Sequence, residues 1–598
     1  MNPDDLLEIE TATLDDAQDE NAVLCLLTDL PIKPSPKEDN LQSLIRMLME
    51  EYGFDRGDMA RDYTITSETD EGKKWKRRLE LVVFRPDRAD YDHPTQADII
   101  RLCVVQDPKV KSNDQKKGPA ALQEALGAVG ECEFGLWFNG AEFTFLRKKT
   151  NAIGQAVFEE LSDFPGAGET LDDLDRSDKL TARVPANDSL VRTFKYCHDY
   201  IYGNEGRTKD AFWQLLNLIF CKIYDEKRRD ICARTNTSYR RRFWVGVTEK
   251  NTTEGQMRAY ERINELFQEM KGSAEFDEVF EGNEEIKLTP RGLAFVAAEL
   301  ARYSFLDATV DVKGLAYETI VGNTLKRERG QFFTPRNIMR AMVQMMDPDP
   351  HERVLDPSCG SGGFLVMTLD HVRHKLAQRL FPELEGEWLR DKYNSPEVNA
   401  QVQEYAETYQ FGIDFDPDLK RAARMNMVMA GDGHANIFHF NSLEYPGGHF
   451  PDRAAFDAAV QRSIEKAQDQ DDLDTEHGNQ GYSNSLGCFD LIFSNPPFGA
   501  KIPINDRQIL EQFDLGHTWR RLPDGAGWDK QQLQSSQPPE ILFIDRCYQF
   551  LKPGAAWPSC CPMASWATPT PSTCATGFCN ASGCWRPSIC RWRRFCPR

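Results

Sequence analysis

VLDPSCGSGGFL (354–365) packs three instructions into twelve residues: a short apolar run ending in an acid (Val354 to Asp356), a turn with glycine at 360, 362 and 363, and an apolar helical run from Phe364. Only glycine lets backbone approach a ligand closely at a helix N-terminus, where unpaired N–H groups wait for acceptors. By itself such a cluster is equally an ordinary strand-to-helix turn, so the neighbouring segments decide.

YQFGIDFDPDLKRAARMNM (409–427) predicts a second strand ending in Asp414, with Asp416 beside it. A carboxylate at that strand end accepts hydrogen bonds from both hydroxyls of a ribose, the alternative being a helix-capping Asp. Asp356 and Asp414 lie 58 residues apart, far beyond the roughly 20 of a nucleotide fingerprint, and 372–405 reads as a helical insertion that accounts for the excess. No GKS or GKT follows the glycines, so the lysine and hydroxyl of a phosphate-binding NTPase loop are missing. Strand, glycine loop and helix in succession from residue 311 onward predict a doubly wound α/β sheet.

FDLIFSNPPFG (489–499) supplies chemistry. A buried strand, Leu491 to Phe493, delivers Asn495, two prolines that stiffen the turn (Pro496, Pro497) and the aromatic Phe498. An exocyclic amine is a poor nucleophile because its lone pair is delocalised into the ring. Accepting its hydrogens at Asn495 Oδ1 and the Pro496 carbonyl favours the tetrahedral geometry needed for attack. Phe498 would stack on a base flipped from a duplex. Singly, these residues are more often a strand-end turn and a core aromatic.

In identity and order, GQFFTP (330–335), DPSCGSGG (356–363), GIDFD (412–416) and NPPFG (495–499) resemble the gamma-type N6-adenine DNA methyltransferases of Type I restriction-modification systems. The resemblance covers about 185–554 and implies a Rossmann-like, S-adenosylmethionine-dependent methyltransferase sheet preceded by a helical domain. It implies that Phe333 and Thr334 contact the methionine end of the cofactor, Asp356, Gly360 and the adjoining Gly362 turn its amino group, and Asp414 its ribose. Asn441 stands where the family usually has an acid near the cofactor adenine. Asn495, Pro496, Pro497 and Phe498 would form the catalytic tetrad. The implied partners are double-stranded DNA, a specificity subunit, since no target-recognition domain is evident, and a restriction subunit. No metal is expected.

The domain plan that follows is an acidic leader and linker (1–40), a small α+β domain (41–150), a helical domain (185–310), the catalytic domain (311–554) and a tail (555–598). Residues 41–150 resemble the nuclease-like N-terminal domain of Type I restriction subunits, in which an acid and a Glu-x-Lys hold magnesium. Here the corresponding places are Glu80 and Gln106-Asp107-Pro108, one carboxylate having become an amide and the lysine a proline, with Asp107 and Lys109 aligned only after a register shift. A fold kept for binding or assembly, without cleavage, is expected.

The chain has 598 residues and a net charge of −22, which argues against a broad DNA-gripping surface and places DNA affinity in a local site or a partner. No long apolar run and an acidic start predict a cytoplasmic protein without a membrane span. After Gly554 the sequence contains no Asp or Glu but seven of the sixteen cysteines. Shifting the frame by one base there permits GRMAIVLPDGILGNP, which resembles the family's continuation, so a frameshift after Gly554 is the expectation for 555–598. Two other functions fit parts of the sequence: a protein-glutamine methyltransferase, whose amide nitrogen poses the same chemical problem, and a catalytically inactive remnant.

Overall fold

The computed structural model describes residues 23–68, 74–175, 183–185, 189–207, 210–273, 276, 279–280, 282–308, 313–319, 334–431, 436–470, 484–497, 503–523 and 528–556. The expected tail from residue 557 onward lies outside them. The chain divides into two compact units, Met1–Glu269 with Glu285–Ala308, and Met270–Glu284 with Thr309–Arg598.

In the first unit a two-residue ladder, β1 (Val23–Leu24) with β2 (Pro31–Ile32), precedes a six-stranded sheet in sequence order. Its strands are β3 (Met59–Glu68), β4 (Lys74–Phe84), β5 (Ile99–Val105), β6 (Phe134–Phe138), β7 (Phe143–Thr150) and β8 (Ala156–Leu161). Only β5 and β6 run parallel, joined through the helix Pro119–Ala128. Alternate residues fill two cores, as a period of two requires: Leu81, Val83, Cys103 and Val105 face the helix Pro36–Glu50, while Val82, Phe84, Leu102 and Val104 pack on Leu122 and Leu126.

The sheet runs past residue 150 through β8, and the leading helix starts at Pro36, capped by Ser35. The α+β domain is thus wider at both ends than 41–150. β8 was missed because AVFEEL lies among polar and glycine residues and is mostly exposed. Past it, Arg183 joins this domain to the helical one inside the same unit: it pairs with Asp163 at 2.6 Å and Glu169 at 2.9 Å, lies over the Tyr52 ring and bridges to Tyr303. The helical part comprises Ser189–Asn204, Ala211–Thr235, Thr253–Lys271 and Pro290–Ala301.

The second unit holds a five-stranded sheet made of β9 (Val354–Asp356), β10 (Gln410–Asp414), β11 (Asn436–His439), β12 (Phe489–Ile492) and β15 (Leu551–Ala556). Their spatial order is β11-β10-β9-β12-β15, every pairing parallel. The chain winds outward from β9 through β10 to β11, then returns to lay β12 on the other side of β9. Helices cover both faces, as parallel strands demand: Leu355, Phe411, Ile413 and Phe489 belong to one core, Val354, Leu491 and Phe493 to another. This is the doubly wound α/β sheet that the sequence predicts. The insertion between β9 and β10 is helical, Gly363–Leu380, Gly386–Arg390 and Pro396–Tyr409. A hairpin of β13 (His517–Arg521) and β14 (Trp528–Leu533) precedes β15, which runs two residues past Gly554.

Candidate active site

In such sheets the crevice at the strand C-termini opens where the winding reverses, here between the ends of β9 and β12. A cavity of about 490 Å³ lies there. Its walls come from the loop after β9, the end of β10, the segment after β11, the turn after β12, and the stretch around Thr334.

The glycine loop is tied down from below. Cys359 N–H donates to Ile413 O at 2.9 Å, and Gly360 N–H donates to Asp414 Oδ2 at 2.9 Å. Gly360 takes φ of +56°, and nothing stands within 4 Å of the place its Cβ would occupy, so bare backbone faces the cavity. Gly362 has another job: at φ +79° it caps the helix Gly363–Leu380, and an added Cβ would meet Ala423 at 3.3 Å. It lets the helix approach its neighbour and is not among the cavity walls.

Two acids lie in the floor. Asp356 is buried and its Oδ1 accepts Ser358 N–H at 3.1 Å. Burial, with the nearby Asp414 charge, pushes its carboxyl up to about 8 against the stabilising Ser358 bond. Asp414 accepts Gly360 N–H and, at 2.8 Å, Asp416 N–H, and burial still raises it to about 7. Two low-dielectric carboxyls side by side resist ionising together. Asp416 caps the next helix through Asp418 N–H, the alternative reading considered for Asp414. The charged side chains among the cavity walls are Glu318, Asp356, Asp414 and Asp416, with no Lys or Arg. That wall favours a cationic ligand rich in hydrogen-bond donors.

Asn495 Nδ2 donates to Thr334 Oγ1 at 2.7 Å. With its nitrogen so committed, the amide presents Oδ1, an acceptor, to the cavity. This bond joins the two motifs expected at the cofactor and the amine, which are 161 residues apart. Ser358 and Ser494 hydroxyls, 3.3 Å apart, link the same two loops lower down. Pro496 and Pro497 line the cavity, as does Asn441, whose side chain caps its own turn through Leu443 N–H and reaches Glu444. Phe333 and Phe498 lie outside the described residues. Sequence reasoning missed Glu318, Met339, Phe415 and Phe543. They come from elements outside the quoted motifs or, like Phe415, look like core residues in a strand pattern; Phe415 is in fact 61% exposed.

Residues 308–521 match the family model described as N-6 DNA Methylase. The chain carries an N-6 DNA methylase domain. Residues 36–165 match the model described as Type I restriction enzyme R protein N terminus. Among curated proteins, the chain is 50% identical over 44 residues to the Type I restriction enzyme EcoEI methylase subunit of Escherichia coli, which is 7% of this chain and 9% of that one. It is 24% identical over 236 residues to the MjaVII methylase subunit of Methanocaldococcus jannaschii, 34% of this chain and 39% of that one. The chain therefore spans less than half the length of these relatives. A modification subunit of a putative type I restriction enzyme from Vibrio vulnificus overlays with a TM-score of 0.37 at 18% identity, covering 61% of this chain and 68% of that one.

In the N-terminal matched domain, Glu80 Oε2 accepts Val105 N–H at 3.2 Å and Oε1 pairs with Lys37 at 2.7 Å. Asn40 Nδ2 donates to the Gln106 carbonyl, and Asp107 closes a turn onto Lys109 N–H. A lysine therefore sits on the carboxylate that a metal would need. Among the described residues no group of three His, Cys, Asp or Glu side chains is placed to hold a metal, and no helix is long and apolar enough to cross a membrane.

Proposed function

We propose that this protein transfers the methyl group of S-adenosylmethionine to N6 of adenine in DNA, as the modification subunit of a restriction-modification or phage-defence system. The observation that carries the reading is the Asn495–Thr334 bond inside an acid-walled crevice at the reversal of the sheet. It sets an amine acceptor directly against the expected cofactor wall. The N-6 DNA methylase match over 308–521 supports the same reaction class.

The cavity residues suit this cofactor. Bare Gly360 backbone leaves room for a close ligand, Asp356 and Asp414 offer acceptors for an ammonium and a ribose diol, and Asn441 and Phe415 lie at the end suited to a base. When bound, the cofactor supplies an electrophilic methyl group on a sulfonium. The chain's own task is to prepare the nucleophile. Asn495 Oδ1 and the Pro496 carbonyl draw the two amine hydrogens out of the ring plane, restoring the nitrogen lone pair for attack, while Thr334 keeps the amide from rotating. The proton lost by the methylated amine leaves through these acceptors to solvent. Phe498 stacks on the extruded base.

Recognition of a DNA sequence falls to a specificity subunit, and a restriction subunit completes the assembly, all in the cytoplasm. The front-end domain, with Lys37 seated on Glu80 and an amide at Gln106, serves binding or assembly without cleavage. Methyl-labelled cofactor offered together with duplex DNA and a glutamine-bearing protein substrate tests the proposal. Label in DNA supports it, and label confined to protein refutes it in favour of a glutamine methyltransferase.

A further inference from the structure

Glu318 has no place in any of the sequence motifs, yet it lines the cavity beside Thr334, Asp356 and Gly363. Its position is held from three directions. Oε1 accepts Arg336 Nη1 at 2.7 Å, the two side chains being 16% and 12% exposed. Arg336 in turn lies so close over Gly314 that a Cβ there would stand 2.3 Å from Nη1. The preceding residue, Tyr317, is fully buried and donates its hydroxyl proton to Ala422 O at 2.5 Å, fixing the stretch 313–319 to the helix Pro417–Met429.

The carboxylate is aimed at one end of the cavity. Oε1 lies 3.9 Å from where a Cβ on Gly363 would stand, at the first residue of the helix Gly363–Leu380. A second anion over a helix N-terminus that already has Asp356 in its floor needs a cationic partner, and Arg336 answers only one of its oxygens in the bond given above. Arg336 is not itself a cavity wall, so it steadies Glu318 without reaching the ligand.

Resting on the reading of this cavity as the S-adenosylmethionine site, we propose that Glu318 binds the α-ammonium group of the cofactor and that Arg336 is its positioning residue. Glu318 and Asp356 then grip the amino-acid end from two sides, while the adenosine end depends on Asp414, Phe415 and Asn441. Discrimination for the intact amino-acid end comes from this pair of acids.

The test is calorimetric binding of S-adenosylmethionine and of 5′-methylthioadenosine, which has the adenosine and sulfur but no ammonium, to the full chain and its variants. Glu318→Gln should weaken S-adenosylmethionine about 10- to 100-fold, the scale of a charge-assisted hydrogen bond, and leave 5′-methylthioadenosine within about twofold. The second ligand also reports that the variant is folded. Arg336→Lys should retain most of the affinity for S-adenosylmethionine and Arg336→Met should lose it, again without moving 5′-methylthioadenosine. Equal weakening of both ligands by Glu318→Gln, or no weakening of either, overturns the role of Glu318 while leaving the cavity reading intact. Failure of the parent chain to bind either ligand overturns both.

Discussion

Cofactor binding should expel protons, and the number is set by the two acids in the cavity floor. With Asp356 pushed up to about 8 and Asp414 to about 7, the empty site near pH 7 holds about nine-tenths of a proton on the first and about half on the second. An ammonium and a ribose diol donate hydrogen bonds, so both carboxyls ionise when the ligand enters. Release should therefore total about 1.4 protons near pH 7, and affinity should rise at least about tenfold between pH 6 and pH 7. The cofactor's own amine, ordinarily near 7.7–8.0, stays protonated over that range. Calorimetric titration near pH 7 in buffers of different ionisation enthalpy measures the release as the slope of observed heat against buffer heat. Asp356→Asn should leave only the share of Asp414, about half a proton. A heat independent of buffer, or an unchanged slope in Asp356→Asn, would refute the assignment of these acids to the ligand.

The same acids govern the stability of the empty chain. Folded, they hold protons that the unfolded chain releases at the ordinary value of 3.8, so stability falls as pH rises from about 4 to about 8. The melting temperature should drop across that window, and less so in Asp356→Asn. Asn495→Ala should reduce methyl transfer by about a thousandfold or more while changing cofactor affinity only a few-fold, since the amide serves the target amine; comparable transfer by parent and variant would remove Asn495 from the reaction. Gly362→Ala forces a side chain into the left-handed region against Ala423 and should cost about 1–2 kcal/mol, read as a lower urea midpoint. In the first unit, Arg183→Ala strands Asp163 and its partner Tyr52 and should destabilise that unit by about 3–5 kcal/mol, visible in its melting transition.

The sheet was legible because its strands are short apolar runs that end on the acid or asparagine they deliver. Val354–Asp356 and Gln410–Asp414 end where the hydrophobic pattern stops, and the glycines follow at once. The helical insertion could be inferred from the excess spacing alone. What the sequence hid were contacts between distant segments: Thr334 on Asn495, Ser358 on Ser494, Arg336 on Glu318. None has a periodicity, since each arises only when the winding brings strand ends together. The edges of the front-end domain were obscured for a different reason. β8 buries only Leu161 among its six residues, so no alternation of apolar and polar residues announces it, and Pro36 starts its helix inside a proline-rich stretch that reads as a linker.

The most direct test of the account is the identity of the methylated nucleoside. Full-length chain, supplied with its sequence-recognition partner, labelled S-adenosylmethionine and unmethylated duplex DNA, is followed by digestion to nucleosides and mass spectrometry. The account predicts label in N6-methyladenosine deoxynucleoside and its loss in Asn495→Ala. Label in a methylated cytosine, or no transfer to DNA by a folded chain that binds the cofactor, would contradict it.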